Sequence, residues 1–365
     1  NRPVFALDEA EMRAYLGLVH EQGIELGLAV GYESMAVQFP ANKKSVLPRH
    51  VGILGTTGGG KSTTVSGLIS EFARAGMATV LFDTEGEYTE IGLPTADPTM
   101  LKLLERKGKT AHGVGPVHVR HLVGRSSTAP RAVTRTPFRL DFSALSPYAV
   151  GEILDLSEAQ EDRFFKAYDA AKLVLRDLGI FPERESAEDE KIALDVNEFD
   201  TGWPRLTLSL LFEMVNGLSA RVAKSEYAPT SALLRSPEAL RMFRERVNTV
   251  ETTHTSSWRA LASKVMRLVR TNIFDTAEAQ PVPFAELVKA GQTTVIDLSD
   301  TDSTVLNNLV IAGILRGLQE QQEVAYARAE AEGRSPTPVM VVVEEAHEFL
   351  SRERIAAMPT LFEQV

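Results

Sequence analysis

Residues 55–63 read GTTGGGKST and carry the spacing G-x-x-x-x-G-K-[ST] at Gly55, Gly60, Lys61 and Ser62. Glycines let successive backbone N–H groups turn inward around phosphate oxygens. A lysine at position 61 reaches β- and γ-phosphates, a serine hydroxyl at 62 suits Mg2+, and the helix that follows offers its positive end. The pattern selects Gly55, Thr57, Gly58, Gly59, Gly60, Lys61, Ser62 and Thr63 as contacts of ATP. A purely structural glycine loop is the bland alternative. The apolar run before the loop and the helical pattern after it disfavour that reading.

Two further stretches carry carboxylates at the ends of apolar runs. VMVVVEEAH ends in Glu344 and Glu345. Beside a phosphate loop, the first acid at such a tip holds the Mg2+ shell and the second polarises the attacking water. An adjacent acid pair favours hydrolysis over simple nucleotide holding, and a kinase would need an acceptor site that the sequence does not display. LFDTEGEY places Asp83, Glu85 and Glu87 within five residues. That much negative charge repels a triphosphate unless Mg2+ or a basic group intervenes. Asp83 ends its apolar run, so it belongs at the ligand edge of a parallel sheet, where it can position water or metal or meet a basic residue from a neighbouring subunit.

The elements that position these groups follow from periodicity. HVGILG (50–55) and ATVLFD (78–83) read as buried parallel strands. A helix is expected from Lys61 to Ala75, stopped by Gly76, and GPVHVRHLVG holds another strand. Ser157 to Gln160 forms a capping-box pattern before a helix whose Phe164, Tyr168, Ala171, Leu175 and Leu178 keep one face, with Gly179 as its stop. ERESAEDEK (183–191) reads as a charged loop. In SSWRALASKVMRLVRTNIF, Trp258, Leu261, Val265 and Leu268 make a buried helical stripe. TTVIDLS (293–299), a helix over roughly 304–331, and VMVVVEE (339–345) complete the series. Trp258 and His347 are assigned to packing or a helix start. Strands alternating with helices around a helical block predict an α/β fold: a mostly parallel sheet flanked by helices, with a mostly helical insertion over 141–284 and a β segment within 1–45.

The chain has 365 residues, 44% apolar and 24% charged, with net charge −10 and no cysteine. These values fit one large domain or two, and exclude disulfides, thiolate zinc sites and cysteine nucleophiles. No run of about 18 apolar residues suggests a membrane span. The start at Asn1 points to a natural N-terminus further upstream. Two acid-free basic runs stand out: 106–140, with Arg106, Lys107, Lys109, Arg120, Arg125, Arg131, Arg135 and Arg139, and 252–274, with Arg259, Lys264, Arg267 and Arg270. Each is either a solvated face or a contact for nucleic-acid phosphates.

With PRHVGILGTTGGGKSTT, LFDTEGEY, SSWRALASKVMRLVRTNIF, TTVIDLSD and VMVVVEEAHEFL in this order, the chain resembles the HerA–FtsK class of DNA-pumping ATPases, within it the HerA helicase/translocase branch. Gly59 stands where serine is usual, a change expected to matter little, and Glu85 where histidine is common. The resemblance implies a RecA-like P-loop ATPase core over 46–140 and 285–365, and a β-barrel of which residues 1–45 hold the end. It implies a homo-hexamer around double-stranded DNA using ATP and Mg2+, and a nuclease or other effector on a separate chain, in DNA-end processing or anti-phage defence. It assigns Lys61 and Ser62 to phosphate and metal, Glu344 to the metal shell and Glu345 to the catalytic base. Asp83 and Glu87 match the acids of the second strand end and of the Gly-Glu-Tyr turn. The sensor and arginine finger fall beyond Val365, and the sheet then lacks at least one strand. Arg259, Lys264, Arg267 and Arg270 are the candidate DNA contacts. A cytoplasmic protein without membrane attachment is expected. Two other readings stay open: a nucleotide-gated scaffold that activates an effector, and a secretion or conjugation ATPase.

Overall fold

The computed structural model describes residues 7–17, 23–40, 50–106, 108–181, 187–199, 201–252, 255–301 and 303–348. Lys107, residues 183–186 of the expected charged loop and the stretch after 348 lie outside them.

Helix α1 (Glu9–Leu16) and the antiparallel pair β1 (Gly23–Ala29) and β2 (Tyr32–Pro40) come first. This pair docks on α2 (Lys61–Arg74), where Ile24 joins Leu68, Phe72 and Met77 in a small apolar cluster. The backbone N–H of Glu25 donates to Glu71 Oε2 at 3.0 Å.

The sheet follows. Strands β3 (Ala78–Asp83), β4 (Val117–Leu122), β5 (Arg135–Arg139), β6 (Gln280–Pro281), β7 (Thr293–Asp297) and β8 (Val339–Val343) lie in the order β6-β5-β4-β7-β3-β8, every pairing parallel. All six residues of β3 are buried, as a strand covered on both faces requires. Their alternation divides the core. Val80 and Phe82 belong to a large cluster on one face, while Leu81 joins Ile69 of α2 on the other. No helix among the described residues is long and apolar enough to cross a membrane.

Between β3 and β4 lies α3 (Pro98–Arg106). The block between β5 and β6 holds α4 (Pro147–Ile153), α5 (Glu158–Asp177), α6 (Ala187–Asp195), α7 (Leu208–Val222), α8 (Pro237–Thr249) and α9 (Thr255–Val269). Ser157 and Gln160 close the capping box of α5, and Gly179 turns left-handed just past its end. The stripe Trp258, Leu261, Val265 and Leu268 is buried on α9, each residue contributing roughly 1.5–3 kcal/mol. α9 packs on α5 and α7. Asp275 ties this block to the sheet, accepting the N–H groups of Phe142 and Leu208 at 2.9 Å each. Short α10 (Phe284–Leu287) precedes β7, and α11 (Thr304–Ala331) links β7 to β8, started by the Ser303 side chain bonded to Leu306 N–H.

Two expectations change. Residues 50–55 form no strand. They have no ladder partner among the described residues, and Val51 and Leu54 are exposed. Only Ile53 is partly buried, against the cluster that also touches Met340 of β8. β8 is half-buried along its length and closes the described sheet at this edge. An apolar run becomes a buried strand only where both a ladder and a cover exist. Residues 187–191 of the charged stretch open helix α6 rather than a loop, since Ala187, Glu188, Glu190 and Lys191 are good helix formers.

Candidate nucleotide site

The glycine loop is exposed from Gly55 to Gly60, and Lys61 lies half-buried at the first position of α2. Gly58 and Gly60 have φ 75° and 85°, a left-handed region that bends the chain back over the helix start. Gly60 caps α2 without any side-chain bond, so the first-turn N–H groups stay open to an anion. Lys61 Nζ donates to Gly55 O at 3.2 Å, folding the lysine over the loop. Thr57 and Thr63 are exposed beside it, and Ser62 is half-buried. A Cβ at Gly59 would come within 2.9 Å of the Thr56 carbonyl oxygen. Glycine at 59 therefore matters to this loop shape, contrary to the expectation that it counts for little.

Three carboxylates stand at neighbouring strand tips along the carboxyl edge. Asp83 pairs in register with Asp297 of β7, and Glu344 follows β8 with its N–H bonded to Phe82 O at 3.2 Å. Asp83 is fully buried. Its Oδ1 accepts the N–H groups of Gly86 and Glu87 at 2.7 and 3.1 Å, and its Oδ2 that of Tyr88 at 2.9 Å. Asp83 was expected to position water or metal or to meet a basic residue of a neighbouring subunit. Its oxygens hold the turn 84–88, because a buried carboxylate needs donors and the turn supplies them. Gly86, at φ 77°, is required there: a Cβ would sit 3.0 Å from Thr128 Oγ1.

Burial pushes the Glu344 carboxyl up to about 8, and a hydrogen bond shared with Asp83 together with its charge acts in the same direction. Burial also raises Asp83, partly offset by that bond and by the backbone donors. Two carboxylates this close favour a cation between them, and hard oxygen donors suit Mg2+. The backbone N–H groups of Thr84 and Glu85 approach Glu344 Oε2 at 3.2 and 3.4 Å, which is the closest connection of Glu85 to the site. Glu85 and Glu87 side chains are exposed. Glu345 has φ 45°, a strained left-handed conformation for a glutamate, and its Oε2 lies 3.1 Å from His347 Nδ1. His347 is exposed, beside Glu345 in the short 3-10 helix Ala346–Glu348, so of packing or a helix start it falls to the second. Trp258, by contrast, is packed.

The structure adds residues that spacing did not single out. Burial pushes the Tyr88 hydroxyl up to about 12, and its backbone N–H is one of the three donors to Asp83. Asp297 Oδ2 accepts from Ser127 Oγ at 2.6 Å, and its Oδ1 from Ser299 N and Oγ at 3.0 and 2.6 Å. Ser126 N and Oγ donate to Asp300 Oδ2 at 2.7 and 2.8 Å, so the loop after β4 is tied to the strand tips. The one available signal was the tyrosine of GEY, whose N–H bonds Asp83 five positions earlier.

The basic runs separate. In the first, Lys109 pairs with Glu25 at 2.8 Å, buried Arg120 with Glu286 at 2.6 Å, and Arg139 with Asp141 at 2.9 Å. Much of that run is internal pairing, not a free strip. Arg259 and Arg267 on α9, and Arg270 just past its end, are exposed, and no acidic partner for them appears among the described residues. Lys264 turns to the Asp155 carbonyl. Lys264 and Arg267 line a cleft with Arg125, apart from the phosphate loop.

A glycine loop opening a helix beside acid-tipped parallel strands defines a P-loop protein of the HerA–FtsK class. The chain belongs to the family described as Helicase HerA, central domain, which matches residues 24–318. It is similar to "Probable helicase MJ1565" of Methanocaldococcus jannaschii, 34% identical over 89 residues, which are 24% of this chain and 16% of that protein. The chain thus matches only a small part of that relative's length. Among solved structures, VirB4 of Thermoanaerobacter pseudethanolicus aligns over 95% of this chain and 83% of its own, with 13% identity and a TM-score of 0.41.

Proposed function

We propose that the chain is the motor of an ATP-hydrolysing translocase on double-stranded DNA, working as a homo-hexamer with a nuclease or other effector in DNA-end processing or anti-phage defence. The observation that carries the chemistry is the placement of loop and acids: α2 opens at the glycine loop without a side-chain cap and packs through Ile69 on Leu81 of β3, whose tip carries Asp83 beside Glu344 after β8. Membership of the HerA helicase family supports the motor reading. The exposed Arg259, Arg267 and Arg270 support a sequence-blind phosphate contact.

When bound, ATP with Mg2+ supplies the phosphoanhydride bond and a Lewis acid. The open N–H groups at the start of α2 and the Lys61 ammonium hold the phosphate oxygens. Ser62 and Glu344 would offer oxygen ligands to the metal, which would offset the charge on the phosphates. Glu345, at the outer end of the tip, orients water and accepts its proton during attack on the γ-phosphorus. Asp83 keeps the turn closed beneath them.

The test is Glu345→Gln in the full protein. ATP binding should remain while turnover falls about 10²–10⁴-fold, the range for losing a general base. DNA-stimulated translocation should stop with it. Turnover within twofold of wild type would remove Glu345 from that role. If effector activation survives in this variant while translocation is lost, the scaffold reading replaces the motor.

A further inference from the structure

A cleft of about 410 Å3 opens beside α9, away from the phosphate loop. Four elements converge on it. α9 and the turn after it contribute Lys264, Arg267, Leu268 and Thr271, spaced i, i+3, i+4 and i+7 on one helical face. The loop after β4 contributes Arg125, and the end of α4 leads into Leu154 and Asp155. The first turns of α11 contribute Leu306 and Leu309, with the positive end of that helix at Ser303 in the same wall.

The lining divides by chemistry. Leu154, Leu268, Leu306 and Leu309 are buried and make an apolar floor. Above it stand three cations, Arg125, Lys264 and Arg267, against one carboxylate, Asp155, in a chain of net charge −10. Lys264 reaches the Asp155 carbonyl, and Arg125 its neighbour's, Gly124 O, at 3.4 Å. No acidic side chain lies within ion-pair distance of Arg125 or Arg267 among the described residues, and Asp300 is taken up by Ser126 N and Oγ. The volume suits one small molecule and excludes a duplex. A bare anion would leave the apolar floor unused, and an apolar ligand would leave the arginines unpaired. A phosphate carried on a nucleoside uses both.

We propose that this cleft is a second nucleotide site, which takes a single nucleotide unit through its phosphomonoester. Arg125 and Arg267 hold the phosphate oxygens, and the leucine floor receives the base. A free mononucleotide and the phosphorylated end of a DNA strand present the same chemistry here. The site needs neither Mg2+ nor hydrolysis, so it stands apart from the motor reading.

Lys61→Ala disables the phosphate loop, so calorimetric titration of the full chain carrying it with thymidine 5′-monophosphate reads the cleft alone. Binding should be seen, and Arg125→Gln with Arg267→Gln should weaken it about 10–100-fold, the range for lost hydrogen bonds to a charged group. Arg259→Gln with Arg270→Gln, both outside the cleft, should leave it unchanged. Val305→Asp, at an exposed position of the lining, should abolish binding at an unchanged melting temperature. The absence of binding in Lys61→Ala would overturn the proposal. So would equal weakening by the two arginine pairs, or inorganic phosphate binding as tightly as the mononucleotide. A 5′-phosphorylated oligonucleotide that binds more tightly than the mononucleotide marks a strand end as the source, and one that binds more weakly marks a free nucleotide. Failure of the Glu345→Gln test would sink the motor and leave these titrations unaffected.

Discussion

At the scale of single residues, the acid-rich turn 83–88 divides its charges by task. Asp83 is buried and bonded to three backbone N–H groups, whereas Glu87 is exposed four residues later. Asparagine at 83 offers one acceptor oxygen where the carboxylate uses two. Whichever way it turns, Tyr88 N–H or the Gly86–Glu87 pair is left without a partner. An orphaned buried N–H costs about 1–3 kcal/mol. Against this, Asn carries no buried charge, and burial already opposes ionisation of Asp83. Asp83→Asn should therefore lower the melting temperature modestly and reduce ATP turnover strongly, because the turn that holds Tyr88 loosens. Glu87→Gln should leave the melting temperature and nucleotide binding unchanged. Thermal denaturation and turnover of both variants check this, and equal melting shifts would contradict the division.

Elements behave differently, because an element is legible from one sequence only where its partners are implied by its own pattern. The bounds of α11 and the buried face of α9 follow from periodicity, as these faces meet the core wherever the helix docks. The acids Asp83 and Glu344 were legible because each ends an apolar run. Residues 50–55 were not, since strand pairing depends on a neighbour that no local pattern announces. Asp297 was also invisible as part of the site: its hydrogen-bond partner Ser127 stands 170 positions away. The same limit explains the basic runs. Charge along 106–140 gave no hint that Arg120 would be buried against Glu286, whereas α9 keeps its arginines outside because its apolar stripe turns inward. This makes α9 the element to test. Replacing Arg259, Arg267 and Arg270 together by glutamine should weaken DNA binding uniformly across sequences. Each lost phosphate contact should reduce the slope of log affinity against log salt by about 0.9. Unchanged affinity and slope at low salt would remove α9 from the DNA surface.

For the whole molecule, the exposure of the phosphate loop is the consequential fact. Gly55 to Gly60 face solvent, and Glu87 is exposed on the turn that follows β3. Phosphoryl transfer is accelerated by fixed charges in a site shielded from water. A loop this open gains such shielding if a second copy of the chain closes over the nucleotide, bringing a basic group toward the acidic turn. Assembly should then depend on nucleotide. Particles examined by electron microscopy and mass photometry should shift toward a sixfold ring on adding ATP with Mg2+ to the Glu345→Gln variant, which is expected to hold ATP without consuming it. Lys61→Ala should not assemble under the same conditions. Glu87→Lys should bind nucleotide as a single chain yet resist assembly, because it places like charge against the incoming basic group. A stable monomer in saturating ATP would count decisively against the ring. Normal rings from Glu87→Lys would keep the ring but move the contact away from this turn.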